Sequence, residues 1–336
     1  MKILCLVSWQ PQGRWLWEYA PDQSDQVDFL YINHPKDRFP GYGKLLGYYQ
    51  VFFGLGVRAL LKMKDYDFIV TWEANTGLPL AFYRSLLGKS LPPLLILNFV
   101  LKGKPVLDTL WLTKFAMRSV SHITCVSQRE IDAYSQLLKF PKDRCHKVQG
   151  PWYAQPFQTI PQHSGNYIFS AGRSHRDYGT LFEAVRGIEI PVVVNARNFN
   201  VKGLERPSNV TVNPFLPFPE FIGIISQAKI VVLPLYEAKH ASGETFLIQA
   251  MAAGKAVIAT RTYSTEELIE HGRNGLLVEP GDASGLRSAI QSLLDHPEQA
   301  ELLGEAAWQD YQRRWAFPLV AREVVELVSA LGSGIG

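Results

Sequence analysis

The chain alternates short apolar runs with longer segments in which apolar residues recur every three or four positions. Short apolar runs are typical of buried strands, and the helical period between them is typical of amphipathic helices. A strand, a helix and a second strand form the repeating unit of a parallel sheet covered by helices. In the N-terminal half the runs predict strands at 3–8, 27–32, 68–71, 94–97 and 122–126.

A second series of such units follows residues 150–166, which are rich in Pro and Gln and have no period, as in an interdomain linker. Its runs predict strands at 167–171, 191–195, 210–212, 230–234, 256–260 and 275–278. A chain of 336 residues has room for two domains of roughly 150 residues. The fold class is therefore α/β, with two Rossmann-like, doubly wound parallel-sheet domains at 1–155 and 165–315. We expect a final helix at about 318–332 to pack back on the first domain.

Composition excludes several classes of protein. The 34 basic and 31 acidic residues give a formal charge of +3, which is too balanced for a nucleic-acid-binding surface. The three cysteines are widely spaced and form no CxxC pair, which indicates neither a disulfide framework nor a zinc site. The apolar run at 3–7 is typical of a strand rather than a signal peptide, and no apolar stretch approaches the roughly 20 residues of a membrane span. We expect a soluble, cytoplasmic enzyme.

The segment after the strand at 230–234 predicts an anion-binding site. Ser242 and Gly243 precede a helix that we expect to run from Thr245 to Gly254. Free amides and the helix dipole favour negative charge at such an N-terminus, and a diphosphate fits it. Gln249, one turn into the helix, is placed to hydrogen-bond a ribose hydroxyl. The alternative is an ordinary Rossmann helix closed by a glycine.

Two arginines follow the first strand of the second domain. Ligands of open parallel sheets bind at the carboxyl ends of the strands, where both this loop and the Ser242-Gly243 loop should lie. Arg173 and Arg176 could therefore clamp a diphosphate leaving group and are the predicted catalytic residues, although loop arginines are often only solvated. The predicted donor-binding residues are Gly172, Ser242, Gly243, Glu244, Thr245, Phe246 and Gln249.

The Gln-Ala-Met-Ala run at 249–252 and the Asn-Gly-Leu-Leu-Val-Glu-Pro-Gly-Asp run at 274–282 closely resemble the group 1 (family 4) retaining glycosyltransferases, which have the GT-B fold. The resemblance covers about 165–295 and is weak over the first 120 residues. It implies a hexosyltransferase of glycan biosynthesis that moves a sugar from a UDP- or GDP-sugar to an acceptor hydroxyl, with retention and without a metal or other cofactor. It also implies a saccharide or lipid-linked acceptor on the first domain.

The sequence departs from the family pattern at the two motif glutamates. The glutamate that holds the donor ribose is Gln249 here, and an amide can still bind a hydroxyl. The glutamate that touches the donor sugar falls on Ala241, so Glu244, Glu237 or His240 substitutes for it or the contact is absent. A catalytically inactive nucleotide-sugar-binding protein is therefore a rival hypothesis. A GT-B epimerase or hydrolase that acts without an acceptor is another.

The phosphate-binding positions also differ. The family arginine matches Arg173, but the family lysine falls on Tyr178, which leaves Arg176 as the replacement. The Ser242-Gly243 loop is similar to that of the inverting transferase that adds N-acetylglucosamine to peptidoglycan lipid. The stereochemical outcome therefore stays open.

Candidate acceptor-binding residues lie in the first domain. Gly13 follows the first strand, where the family has a glycine pair, and Glu73 and Asn98 follow later strands. A polar residue at the end of a strand is also a common helix cap. The segment at 42–64 is apolar and basic. It fits either a core helix with a charged end or a helix that makes a peripheral contact with the inner face of an anionic membrane.

Two acidic motifs are set aside. Asp65 and Asp67 match the DxD metal motif of the other glycosyltransferase fold, but they precede a strand, at the wrong end of the sheet for ligands. No metal site is predicted. Glu266 and Glu267 are adjacent on a predicted helix and point apart, so that we interpret them as a solvated helix start. The family resemblance leaves a sugar-nucleotide role for Glu267 as the alternative.

Overall fold

The structure is a computed structural model that describes residues 1–32, 43–87, 91–101, 110–150, 160, 165–214, 216–236 and 242–333, with side chains omitted at 43–50. It divides into unit 1, Met1–Gln149 with Ala321–Gly336, and unit 2, Gly150–Val320. Each unit contains one six-stranded sheet in which every pairing between named strands is parallel. The prediction of two doubly wound α/β domains is confirmed as a fold class.

Unit 1 has the strand order β2-β1-β3-β4-β5-β6. The strands are β1 (Lys2–Val7), β2 (Gln26–Tyr31), β3 (Phe68–Trp72), β4 (Leu94–Leu97), β5 (His122–Cys125) and β6 (Cys145–Lys147). The helices are α1 (Gly43–Lys62), α2 (Glu73–Leu87), α3 (Leu110–Met117) and α4 (Gln128–Leu138), with short 3-10 turns at Trp15–Tyr19, Met63–Asp65 and Lys142–Arg144.

Unit 2 has the strand order β12-β11-β10-β7-β8-β9. Its strands are β7 (Ile168–Ala171), β8 (Val192–Asn195), β9 (Val210–Asn213), β10 (Ile230–Leu233), β11 (Ala256–Thr260) and β12 (Leu276–Val278). Its helices are α5 (Tyr178–Val185), α6 (Asn198–Val201), α7 (Phe218–Gln227), α8 (Glu244–Ala252), α9 (Tyr263–Glu266), α10 (Ala283–Asp295) and α11 (Pro297–Asp310), followed by a π-helical turn (Tyr311–Trp315) and by α12 (Phe317–Ser333), which ends in unit 1.

The central strands are buried on both faces. Every residue of β10 and β11 is buried, as expected of strands in a parallel sheet that is covered on both sides. Successive side chains of a strand point to opposite faces, so Ile168 packs in one core layer and Phe169 in the other. This burial explains why continuous apolar runs located the strands.

The structure differs from the sequence-based prediction at β6. This three-residue strand at the edge of the sheet is half-exposed and polar, and it therefore carries no apolar signal. The final helix is longer than predicted, at Phe317–Ser333. Among the described residues, no helix is long and apolar enough to cross a membrane.

Candidate donor site

The two loops with candidate chemistry leave neighbouring strands of unit 2 at the same edge of the sheet. β7 and β10 are paired in parallel, so the loop after Ala171 and the loop after Leu233 emerge side by side. Backbone hydrogen bonds join them: the amide of Asp177 donates to Pro234 O at 3.1 Å, and the amide of Tyr236 donates to His175 O at 2.9 Å. The two loops are thus joined by their backbones at the carboxyl edge of the sheet, which is where ligands of open parallel sheets bind.

A side-chain contact extends this connection to the start of α8. His175 Nδ1 lies 3.1 Å from the hydroxyl oxygen of Ser242, and Ser242 is buried. The hydroxyl of Ser264 donates to Ser242 O at 3.4 Å. His175 has a φ of +54°, a backbone conformation that non-glycine residues adopt rarely and that clusters at functional sites. No local pattern in the sequence indicates a role for His175.

Gly243 is the N-cap residue of α8 and has left-handed backbone angles, φ +90° and ψ −11°. A Cβ at this position would lie 2.9 Å from Cδ2 of Leu233, so both the angles and the space favour glycine. The amide of Leu247 makes the hydrogen bond to Gly243 O, at 2.9 Å. The amides of residues 244–246 precede that bond, as the first amides of a helix do, and form the predicted anion-binding end of α8.

The side chains at the start of α8 point in different directions. Thr245 is exposed, whereas Phe246 is 6% exposed and packs against Phe169 and Phe221, with ring centroids 5.8 and 6.1 Å away. Phe246 therefore belongs to the hydrophobic core, and its amide is the part that lies at the helix N-terminus. Gln249 is buried, 5% exposed, and its assignment to a ribose stays a prediction.

Arg176 does not extend into solvent. Its Nε donates to Ala171 O at 2.7 Å and its Nη1 donates to Ser174 O at 2.8 Å, so the guanidinium holds the loop that contains it. Burial lowers its pKa to about 10, which leaves it charged at neutral pH. Gly172, with φ +121°, has no space for a Cβ because that atom would overlap the guanidinium.

The other predicted phosphate-binding residue has a different environment. Arg173 is exposed, and its backbone carbonyl accepts a hydrogen bond from Asn200 Nδ2 at 2.8 Å. Tyr178, at the position of the family lysine, is buried and donates its hydroxyl to Gly172 O at 2.8 Å; burial raises its pKa. Tyr178 and Arg176 thus order the loop, while Arg173 has its side chain in solvent above it.

The two adjacent glutamates lie at a helix of a single turn, in which Glu266 is both a first-turn residue and the last residue. α9 begins with a capping box, in which Thr262 and Thr265 exchange hydrogen bonds, and Glu266 is its last residue. Glu266 is exposed and pairs with Arg261 at 2.9 Å. Glu267 follows as the C-cap residue.

The candidate acceptor residues of unit 1 lie after strands of its own sheet. Glu73 follows β3 and Asn98 follows β4, and the register of Trp72 with Leu97 places them level with each other. Both have positive φ, +62° and +49°, and Gly13 in the loop after β1 has φ +53°. Unusual backbone conformations at the carboxyl ends of strands favour a functional interpretation.

An aromatic cluster that no local sequence pattern predicts lies beside these residues. The rings of Trp9, Trp15 and Trp72 contact each other edge to face, with centroids 5.4–5.7 Å apart. Trp72 precedes Glu73 in the chain, and Trp9 follows β1. Trp9 is partly exposed, whereas the other two rings are buried.

The acidic DxD motif and the candidate sugar-binding residues before α8 are the remaining sequence candidates. Asp67 lies before β3 and its Oδ2 accepts the amide of Lys2 at 2.7 Å, so the DxD motif is at the amino end of the strand. Within the described part of the chain, no three His, Cys, Asp or Glu residues are grouped to hold a metal ion. Ala241, Glu237 and His240 lie outside the described residues.

Known proteins match the chain in two ways. Residues 192–296 match the family described as Glycosyl transferases group 1. The D-inositol 3-phosphate glycosyltransferase of Arthrobacter sp. (strain FB24) is 31% identical over 116 residues, which is 33% of this chain and 27% of that protein. The D-rhamnosyltransferase WbpZ of Pseudomonas aeruginosa is 26% identical over 148 residues, 42% of this chain and 39% of that protein.

Among solved structures, the sucrose-phosphate synthase of Thermosynechococcus elongatus has a TM-score of 0.75 at 18% identity, over 99% of this chain and 100% of that chain. HepE of Anabaena, solved with UDP and glucose, has a TM-score of 0.67 at 16% identity, over 98% of this chain and 100% of HepE. At these identities the likeness shows the fold alone.

The two parallel sheets and these neighbours define a GT-B protein. By its motifs and by the matched segment at 192–296, unit 2 is similar to the group 1 glycosyltransferases. The match spans only 27% of the length of the first curated relative.

Proposed function

We propose that the chain transfers a sugar from a nucleoside diphosphate donor to an acceptor hydroxyl, with the diphosphate at the carboxyl edge of the unit 2 sheet. The observation that carries the proposal is the contact of His175 with Ser242, which ties the arginine loop to the glycine-led N-terminus of α8. The arginine loop and the N-terminus of α8, which both favour anions, are thereby held together at the carboxyl edge of the unit 2 sheet.

The chemistry needs positive groups on the leaving phosphate. When the bond from sugar C1 to oxygen breaks, the diphosphate keeps the electron pair and gains negative charge. The amides at the start of α8 and the exposed guanidinium of Arg173 would contact this charge, and they need no metal ion to do so. Arg176 would act from beneath the loop, as a buried positive charge that also fixes the carbonyls around Gly172.

The donor is proposed to be a UDP- or GDP-hexose. HepE, which has the same fold, was solved with UDP and with glucose, and this favours a uridine nucleotide. Gln249, buried in α8 one turn beyond Thr245, would bind the ribose with its amide. Retention is the outcome that the family resemblance implies, with the leaving phosphate accepting the proton of the acceptor hydroxyl.

The acceptor is proposed to bind to unit 1 at Gly13, Glu73 and Asn98. Glu73 would supply a carboxylate that accepts hydrogen bonds, and Asn98 would supply a side-chain amide. The two residues are level with each other at the edge of the sheet, beside the tryptophan cluster around Trp9. A saccharide or a lipid-linked saccharide suits hydrogen-bonding groups next to an aromatic surface. We place the enzyme in the cytoplasm, with a peripheral contact at the inner face of the membrane.

One observation favours a second candidate, a nucleotide-sugar-binding protein without turnover. Gln249 stands where the family has a glutamate, and Ala241 stands where the family has the glutamate that touches the sugar. A site can keep its affinity for the diphosphate and lose the groups that orient the sugar for reaction.

Nucleotide binding and donor turnover separate the two candidates. Calorimetry with UDP and GDP measures binding, and release of UDP from UDP-glucose or of GDP from GDP-mannose, with and without saccharide acceptors and in excess EDTA, measures turnover. Acceptor-dependent release supports the transferase, and release without an acceptor indicates a hydrolase. Binding without release supports the inactive protein, and the absence of any nucleotide binding contradicts both candidates.

A further inference from the structure

Exposed apolar side chains concentrate on three helices of unit 1. Of the eleven large apolar side chains that are exposed in the described part of the chain, six lie on α1, α2 and α3. Contiguous apolar surface on a folded protein marks an interaction site, whereas scattered single residues do not. The six are Phe53 (37% exposed), Val57 (39%), Leu61 (79%), Leu86 (62%), Leu87 (42%) and Trp111 (69%). We call them the α1–α3 face.

Helix α1 is apolar on two sides. Phe52, Leu55 and Ala59 are buried in the core of unit 1. Phe53, Val57 and Leu61 follow each other at intervals of four residues and so form a second stripe, which is exposed. A helix that only covers a sheet needs one apolar side, with polar residues opposite, so packing on the sheet does not account for the second stripe of α1.

Ring contacts connect this stripe to α2 and α3. The ring of Phe53 lies 6.4 Å from that of Phe82, which lies 5.7 Å from that of Phe115. Leu86 is one turn beyond Phe82 on α2, and Trp111 is one turn before Phe115 on α3. The exposed residues of the three helices therefore belong to one continuous surface rather than to separate places.

The charge beside this surface has one sign over α1 and α3. Neither helix contains Asp or Glu. Besides Lys44 near the start of α1, the basic residues on or next to these helices are Arg58, Lys62, Lys64, Lys114 and Arg118. Of these five, all except the half-buried Lys114 are exposed. In the sequence, acidic residues lie beyond the end of α1, at Asp65 and Asp67, at Glu73, the start of α2, and at Asp108, two residues before α3.

We propose that the α1–α3 face docks unit 1 on an anionic lipid bilayer. Phe, Leu and Trp side chains enter the boundary between headgroups and acyl chains, and Lys and Arg contact the anionic headgroups. The guanidinium of Arg118 lies 5.5 Å over the ring of Phe115. A long basic side chain can cover apolar surface with its methylene groups in this way while its charge stays in water. The basic residues of α1 and α3, with no Asp or Glu on either helix, favour an anionic membrane over a second copy of this face, which would bring like charges together.

Vesicle flotation of the full chain tests this proposal. The probes are vesicles of phosphatidylcholine alone and vesicles with about a third of phosphatidylglycerol, in low salt. We expect wild type to float with the anionic vesicles on the order of tenfold more than with the neutral ones, and we expect salt near 0.5 M to reduce this binding. Leu61→Glu and Trp111→Glu should abolish flotation.

The control is Leu302→Glu, which changes a leucine of unit 2 that is 66% exposed, close to the 69% of Trp111, and should float as wild type does. Equal or negligible binding of wild type to both vesicles overturns the proposal, as does equal loss in the control. If light scattering shows a dimer that Leu61→Glu dissociates, and no flotation occurs, the face binds a second copy and the proposal is wrong. Flotation needs no turnover, and UDP affinity of the variants measures the donor site separately.

Discussion

Replacing Gly243 with alanine perturbs the predicted anion site at the residue that shapes it. At φ +90° an L-residue costs roughly 1–2 kcal/mol relative to glycine. The added Cβ would also lie 2.9 Å from Cδ2 of Leu233, and moving that buried side chain from its rotamer costs about 0.5–1.5 kcal/mol. We therefore expect Gly243→Ala to lower the free energy of unfolding by about 2–3 kcal/mol.

The expected shift in melting temperature follows from the size of unit 2. For a domain of this size, 1 kcal/mol shifts Tm by roughly 2–4 °C, so Gly243→Ala should melt about 5–10 °C lower by circular dichroism. Because the first amides of α8 move with residue 243, affinity for UDP should fall by about tenfold or more in calorimetry.

The matched control is Gly223→Ala on α7. A Cβ at Gly223 meets no atom within 4 Å, and its φ lies outside the left-handed range, so alanine should be neutral or should stabilise the helix by up to about 1 kcal/mol. UDP affinity should not change. If Gly243→Ala has the same melting temperature as wild type and binds UDP with the same affinity, the left-handed backbone at Gly243 does not form the anion site.

Three further predictions concern charge. Arg173→Ala should lower kcat by on the order of 10²–10³ with Tm unchanged, because the side chain is exposed, whereas Arg313→Ala should have no effect; near wild-type turnover would remove Arg173 from the mechanism. Turnover should survive excess EDTA, and a loss restored by Mn²⁺ or Mg²⁺ would contradict metal independence. Burial, with the charges of His146 and Arg144, lowers the pKa of His122 to about 4, so its neutral form is favoured in the folded state and stability falls as pH drops from 6.5 towards 4. The urea midpoint of wild type should therefore drop more between pH 7.5 and 5 than that of His122→Gln, and parallel curves would show that His122 does not contribute.

Burial decided how much of the fold the sequence could predict. β11, which is entirely buried, gave an apolar run whose limits agree with the structure at Ala256–Thr260. β6 has the sequence Cys-His-Lys, and its pairing with β5 at the edge of the sheet depends on contacts distant in sequence rather than on its own pattern. A strand of this kind can be predicted only once the position of the strand it pairs with is known.

The candidate site was predictable where one local segment forms it. A glycine before a helix is a local signal, and Gly243 caps α8 as expected. The contact of His175 with Ser242 joins residues 67 positions apart, and no local pattern indicates it. The direction of Arg176 was likewise hidden, because a loop arginine can extend into solvent or turn back to the carbonyls behind it. Gly172 was the available signal, since only glycine leaves space for the buried guanidinium.

A crystal structure of the chain soaked with UDP tests the central claim most directly, supported by calorimetry with UDP and GDP. We expect density for the diphosphate at the amides of residues 244–246, with the guanidinium of Arg173 moved onto a phosphate oxygen and His175 still bonded to Ser242. Diphosphate bound elsewhere in the chain, or no nucleotide binding at millimolar concentration, would contradict it.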